Sequence, residues 1–194
     1  HAPGDPGFGA PAEGFWRGSS IGQVWEYLAD RGYGATLAAS GLKDEAVLAA
    51  AADHCLGAAY KGRCPGVTPA ALRTWRAETR ARFQGSTADE VSAAVDAAIE
   101  AVRGLPTIDV GGHAVAVAVE EIRELPEAAA ITGMPVMYEI FDARAQKTKV
   151  GLLGAEEEVG AAWMDWARAN PSLEGVYGDP KRGFAGAYKV AAAE

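Results

Sequence analysis

The chain has 194 residues, 49% of them hydrophobic and 23% charged, with a formal net charge of -8. That length and balance suit one large or two small globular domains, and no apolar run nears the roughly 18 residues of a transmembrane helix. The acidity speaks against nucleic-acid binding, because such domains are usually basic overall. Two cysteines without a CxxC pattern, and three scattered histidines, speak against a structural zinc site.

The chain opens on a Gly/Pro-rich arm, "HAPGDPGFGAPAEGF". Such composition orders only when something holds it, and the expectation is that the arm lies over a partner or its own domain. The first residue is His1, not Met. This suggests a processed or trimmed N-terminus; if a targeting segment was cleaved, the protein works in an organelle or outside the cell.

The first half has helical periodicity. Ser20 is placed to cap a helix running to Arg31, with Ile21, Val24, Trp25 and Leu28 facing inward. Gly32 and Gly34 end it. A second helix is expected from about Asp44 to Tyr60, with Leu48, Ala52, Cys55, Leu56 and Ala59 on one face. After the turn "KGRCPGV", Thr68 caps a third helix that starts with Pro69, whose inner face is Leu72, Trp75, Thr79 and Phe83. The capping-box pattern "STADE" opens a fourth, which stops at Gly104-Leu105-Pro106.

The second half changes period. "TIDVGGHAVAVAV" suits a hairpin around Gly111-Gly112. A short helical or irregular stretch, "RELPEAAAITG", leads to the strand "MPVMYEIFDA", with "TKVGLLG" as its return. "AEEEVGAAWMDWARANP" is an amphipathic helix with three glutamates in its first turn, where the helix dipole favours them. "GVYGDPKRGFAGAYKVA" supplies final strands. The expected fold class is α+β: a Gly/Pro arm over 1–14, a helical region over 15–104, and a small antiparallel sheet packed by one amphipathic helix over 105–194.

Charge is segregated. Residues 60–83 carry Lys61, Arg63, Arg73, Arg76, Arg80 and Arg82 against one acid, Glu78. Arg73, Arg76 and Arg80 fall in a narrow arc of the third helix and form a candidate binding stripe. Guanidinium groups pair bidentately with carboxylates or phosphates. Carboxylates of "EEIRELPE" and "AEEE", or of a protein partner, are the favoured counterparts. A nucleic acid is disfavoured, because the rest of the chain carries the negative charge.

Cys55 and Cys64 read either as two small buried hydrophobes or as a disulfide closing a short loop. His113 follows the glycine pair, near Asp109 and Glu120. This is the one place where an unmotifed catalytic cleft is conceivable. No GxSxG, HExxH, phosphate-cradling GxxxxGK[ST] or strand-linked GxGxxG is present, and the sequence leaves the cofactor unknown.

Residues Ala38 to Val102 resemble one helical half of the dinoflagellate peridinin–chlorophyll proteins. The likeness rests on "VLAAAADH" ending in His54, "GVTPAA" twelve residues later, and a new helix after "STADE". It implies a pigment-binding helical fold with His54 as the pigment-proximal residue. The reading favoured by the chain as a whole is a non-catalytic binding or assembly subunit of a larger complex. It would dock on a protein partner through the arm and the Arg stripe. A small enzyme around His113, a pigment-binding protein and a nucleic-acid-binding protein are the alternatives.

Overall fold

The computed structural model describes residues 7–190. The fold is α+β, and it divides into two compact units, His1–Ser92 and Ala93–Glu194.

The first unit is helical. Its elements are α1 (Phe15–Gly18), α2 (Ser20–Leu28), α3 (Gly34–Ala39), α4 (Lys43–His54), α5 (Leu56–Tyr60), α6 (Pro69–Gln84) and the first turn of α7 (Ala88–Arg103). Ser19, not Ser20, caps α2; its hydroxyl oxygen accepts the Gly22 amide at 3.2 Å. The helix expected to reach Arg31 stops at Leu28 and opens into a wider turn, where Gly32 sits at φ 91°. The helix expected over 44–60 is broken at Cys55, whose backbone leaves the helical region at φ -145°, ψ 42°. Thr68 and Pro69 start α6 as the sequence implies, with the Thr68 hydroxyl accepting the Ala71 amide at 3.2 Å.

Phe83 is a correction. It is 89% exposed. Near its start α6 buries Leu72 in a core with Phe15, Ala50, Ala51, Cys55, Ala59, Cys64 and Val67. Near its end it turns Ala77 and Ala81 onto Val91 instead. Those two faces lie roughly opposite each other on a helix of about 3.6 residues per turn, so the arc that carries Phe83 has left the core.

The described part of the N-terminal arm, 7–14, packs on its own unit. A Cβ on Gly7 would fall 2.2 Å from the Gly18 carbonyl oxygen, and Ala12 packs against the helical core. Residues 1–6 lie outside the described residues.

The second unit is a six-stranded sheet with helices on it. Its strands are β1 (Thr107–Val110), β2 (His113–Ala118), β3 (Val136–Asp142), β4 (Lys147–Leu153), β5 (Leu173–Asp179) and β6 (Phe184–Lys189), in the order β1-β2-β3-β4-β6-β5. The sheet is antiparallel except for β2 and β3, which run parallel because α8 (Leu125–Thr132) carries the chain back between them. The β1–β2 turn is Gly111-Gly112, both at positive φ, as a tight two-residue hairpin turn requires.

α9 (Glu157–Ala169) covers one face through Trp163, Met164 and Ala167, which pack on Val115, Val150, Leu152, Ala185 and Ala187. On the other face α8 and the end of α7 pack Val95, Ala98, Ile99, Val102, Ala128 and Ala129 on Ala116, Ala118 and Val136. The units therefore divide inside α7, at Ser92/Ala93, and not after Gly104. The second half of α7 belongs to the core of the sheet.

Candidate functional site

The residues singled out from sequence are not gathered in one place. Arg73, Arg76 and Arg80 are half-buried along α6, and each is engaged by a neighbouring group. His54 is the last residue of α4 and is buried, with its ring against the backbone of Gly18. A Cβ there would fall 2.6 Å from the His54 Cε1 atom. Cys55 and Cys64 are both buried thiols in the helical core, the Cys64 Sγ lying 4.0 Å from the Cys55 carbonyl oxygen; no disulfide joins them.

His113 begins β2, half-buried. The carboxylate of Asp109 accepts the Gly112 amide at 3.2 Å and so holds the hairpin turn, while Glu120 is exposed beyond the strand. Among the described residues no hydrogen bond or ion pair joins His113 to either acid. Glu124 and Glu127, part of the acidic segment expected to stay available for pairing, are buried at the start of α8.

Two surfaces stand out in their place. The first is in the helical unit. Among residues 20–39 only Gly22 is buried. Val24 is 57% exposed and Tyr27 55%, with Ile21, Tyr33 and Leu42 exposed as well. The inward face expected for α2 is thus largely open. One flank of it is closed by stacked side chains. Trp16 and Trp25 meet edge-on with centroids 6.0 Å apart, and the Lys43 ammonium sits 3.3 Å from the Trp16 centroid. The Trp16 indole donates to Glu26 at 2.8 Å. Burial against the rings lowers the Lys43 pKa, opposed by the charge of Glu26.

The second surface is on the sheet. Side chains alternate across a strand, so the neighbours of Val150, Leu152, Ala185 and Ala187 point away from α9. Gly151 and Gly186 are such neighbours, and they are directly paired across β4 and β6. A Cβ on Gly151 would fall 2.4–2.7 Å from the Tyr138 ring end. One on Gly186 would fall 2.5–2.9 Å from that of Tyr177. The two phenols therefore converge over a glycine floor, an arrangement in which aromatic rings shield the bare backbone.

Lys149, on the same face, reaches into this cluster, with its ammonium 5.6 Å from the Tyr177 centroid. Burial pulls its pKa down, but hydrogen bonding to Tyr177 and the neighbouring Tyr138 outweighs this and raises it. Tyr188 stands beside Tyr177, centroids 6.1 Å apart, and donates to Asp142 Oδ2 at 3.3 Å. The other Asp142 oxygen accepts the amides of Arg144 and Ala145 and holds the β3–β4 turn. The amide of Ala145 is the main reason that the Asp142 pKa is lowered. Burial and the charge of its neighbours raise that of Tyr188. The ion pairs at this end of the sheet are Lys147–Glu174 and Lys189–Glu139, both 2.6 Å; Lys149 belongs to neither.

No protein-family model matches the chain, and no curated protein or solved structure matches it either. Among the described residues no cluster of His, Cys, Asp and Glu could hold a metal ion, and no helix is long and apolar enough to cross a membrane.

Proposed function

We propose that the protein is a non-catalytic binding subunit that docks on a protein partner through the open α2–α3 surface of its helical unit. The observation that carries this reading is the inverted amphipathicity of α2. Ile21, Val24 and Tyr27 are spaced as a helix face would need for burial, yet they are exposed. A contiguous aromatic and aliphatic patch of this kind is what an interface core uses, and exposed acids of the same unit, such as Glu26 and Asp30, supply a polar rim. The arm is not needed for this docking, because its described part is already packed on its own unit.

The test places the photo-crosslinker p-benzoylphenylalanine at Val24 and, as a control, at Phe83, which is also apolar and still more exposed. In an extract of the source cells, position 24 should give discrete adducts that position 83 does not. An excess of wild-type chain should compete them away, and an excess of Val24→Asp/Tyr27→Asp chain should not. Both substitutions fall on exposed positions, so the double variant should melt with the wild type. Equal competition by the two chains would sink the reading.

A further inference from the structure

We propose that the corner between Trp16 and Trp25 is a receptor for a methylated ammonium, the head group of choline or of a trimethylated lysine, and that Lys43 occupies it as a displaceable internal substitute. The corner borders the α2–α3 surface, but the proposal does not rest on that surface docking a protein.

The fold sets the walls. Trp16 comes from α1 and Trp25 from α2, and their rings stand at 67° with centroids 6.0 Å apart. Glu26 fixes one wall, because its Oε1 accepts the Trp16 indole proton at 2.8 Å. Gly22 lets α2 come close to the Trp16 backbone, where a Cβ would fall 1.8 Å from the carbonyl oxygen. The Lys43 ammonium marks the place of the cation, 3.3 Å from the Trp16 centroid and 4.8 Å from that of Trp25. Both distances lie inside the reach of about 6 Å for a cation–π contact, and ring faces set at an angle are how quaternary ammonium ions are recognised.

The present occupant is held by those faces alone. Among the described residues no hydrogen bond or ion pair fixes the Lys43 ammonium, and Glu26 acts on it only through its charge. Lys43 opens α4, the end at which the helix dipole favours anions. Its stem is flexible and the residue is exposed, so the ammonium can swing into water and leave the corner open.

The chemistry of the corner sets the ligand class. A primary ammonium is strongly hydrated, and ring faces return none of the hydrogen bonds it loses. A methylated ammonium keeps the charge, has few or no N–H groups to leave unsatisfied, and lays apolar methyl groups on the indoles. Its head is larger than the lysine ammonium, but Lys43 and Glu26 are exposed, so the mouth of the corner faces solvent and the head can stand further out. Glu26 disfavours an anion. A hard metal ion needs several oxygen ligands, and the carboxylate of Glu26 is already engaged by Trp16.

The purified full-length chain would be titrated with choline chloride at constant ionic strength, following the indole N–H signals of Trp16 and Trp25 by NMR. N-acetyl-trimethyllysine amide, its unmethylated counterpart, and neohexanol, the uncharged carbon isostere of choline, serve as comparisons. Choline should shift both signals saturably, with neohexanol and unmethylated lysine about tenfold weaker, the loss expected for one desolvated cation–π contact. Lys43→Ala removes the competing cation and should tighten choline about tenfold, whereas Trp25→Leu should weaken it by a similar factor. The tighter of choline and trimethyllysine tells a free solute from a protein side chain as the source. Alanine is a good helix former and Lys43 is exposed, so Lys43→Ala holds the test if Trp25→Leu perturbs the helical unit. The proposal is overturned if choline does not bind, if Lys43→Ala binds it no more tightly than the wild type, or if neohexanol or unmethylated lysine binds as tightly. Cross-linking at Val24 reads the docking surface separately from any of these outcomes.

Discussion

Gly22 shows how one residue can be fixed by a contact that no local pattern displays. At an ordinary exposed helix position, replacing Gly by Ala stabilises by about 1 kcal/mol. Here a Cβ would fall 1.8 Å from the carbonyl oxygen of Trp16, which also accepts the Ser19 hydroxyl at 2.9 Å. The obstruction is backbone, so it cannot swing aside as a side chain would. Gly22→Ala should destabilise by about 3 kcal/mol, the upper range of overpacking, with a melting temperature lower by several degrees. An unchanged or higher melting temperature would show that α1 and α2 are not held at this separation. Tyr138 and Tyr177 relate to Gly151 and Gly186 in a similar way, with the difference that a ring end can move. The convergence of these residues was partly written in the sequence. Lys149 and Gly151 on β4, and Gly186 and Tyr188 on β6, alternate with the apolar positions that meet α9, as Tyr138 on β3 follows Met137. What the sequence lacks is the register that pairs Gly151 with Gly186. Register between strands this far apart is a tertiary fact.

At the scale of elements, the features carried by neighbouring residues were the legible ones. The capping box at α7 is formed in both directions: the Thr87 amide donates to Glu90 at 2.9 Å and the Glu90 amide to the Thr87 hydroxyl at 3.2 Å. Thr87→Ala should therefore cost about 1 kcal/mol, read as a lower denaturation midpoint with unchanged slope. A Thr87→Ser replacement should recover most of it, and failure of Ser to do so would mean that the cap is not what the loss reports. The α6 cap and the Gly111-Gly112 turn were legible for the same reason. Three features were not. The break at Cys55 interrupts an Ala-rich run at its weak helix formers, Asp53, His54, Cys55 and Gly57, whose small penalties do not by themselves fix where a helix ends; Cys55 and Cys64 are buried there in one core. The parallel β2–β3 pair depends on α8, a helix of eight residues whose pattern is too short to separate from an irregular loop. The open face of α2 has the periodicity of a buried one, and periodicity alone cannot say what the face meets.

Charge belongs to the whole molecule. The helical unit carries nine cations and ten anions, and the sheet unit nine against sixteen, so almost all of the net -8 resides in the second. The clustering of cations in residues 60–83 is thus offset within the first unit's own composition and leaves it near neutrality. Among the described ion pairs of the sheet unit, Arg103–Glu100, Lys147–Glu174, Arg168–Asp165 and Lys189–Glu139 lie between exposed side chains, while the longer Arg123–Glu124 contact, at 3.9 Å, has a buried carboxylate. Pairs of the exposed kind contribute between zero and about 1 kcal/mol each. The excess of seven negative charges acts over longer distances and opposes compaction. Added salt weakens both effects, and the two predict opposite signs. Raising sodium chloride from about 0.01 M to about 0.1 M shortens the screening length from about 30 Å to about 10 Å. That reaches across the unit but leaves contacts below 3 Å less affected. The melting temperature at neutral pH should therefore rise. Relief of about 1 kcal/mol corresponds to about 2–4 °C for a chain of this size. Calorimetry in sodium chloride, repeated in potassium chloride to exclude a cation-specific effect, measures it. A melting temperature that falls with salt would mean that the ion pairs outweigh the net charge.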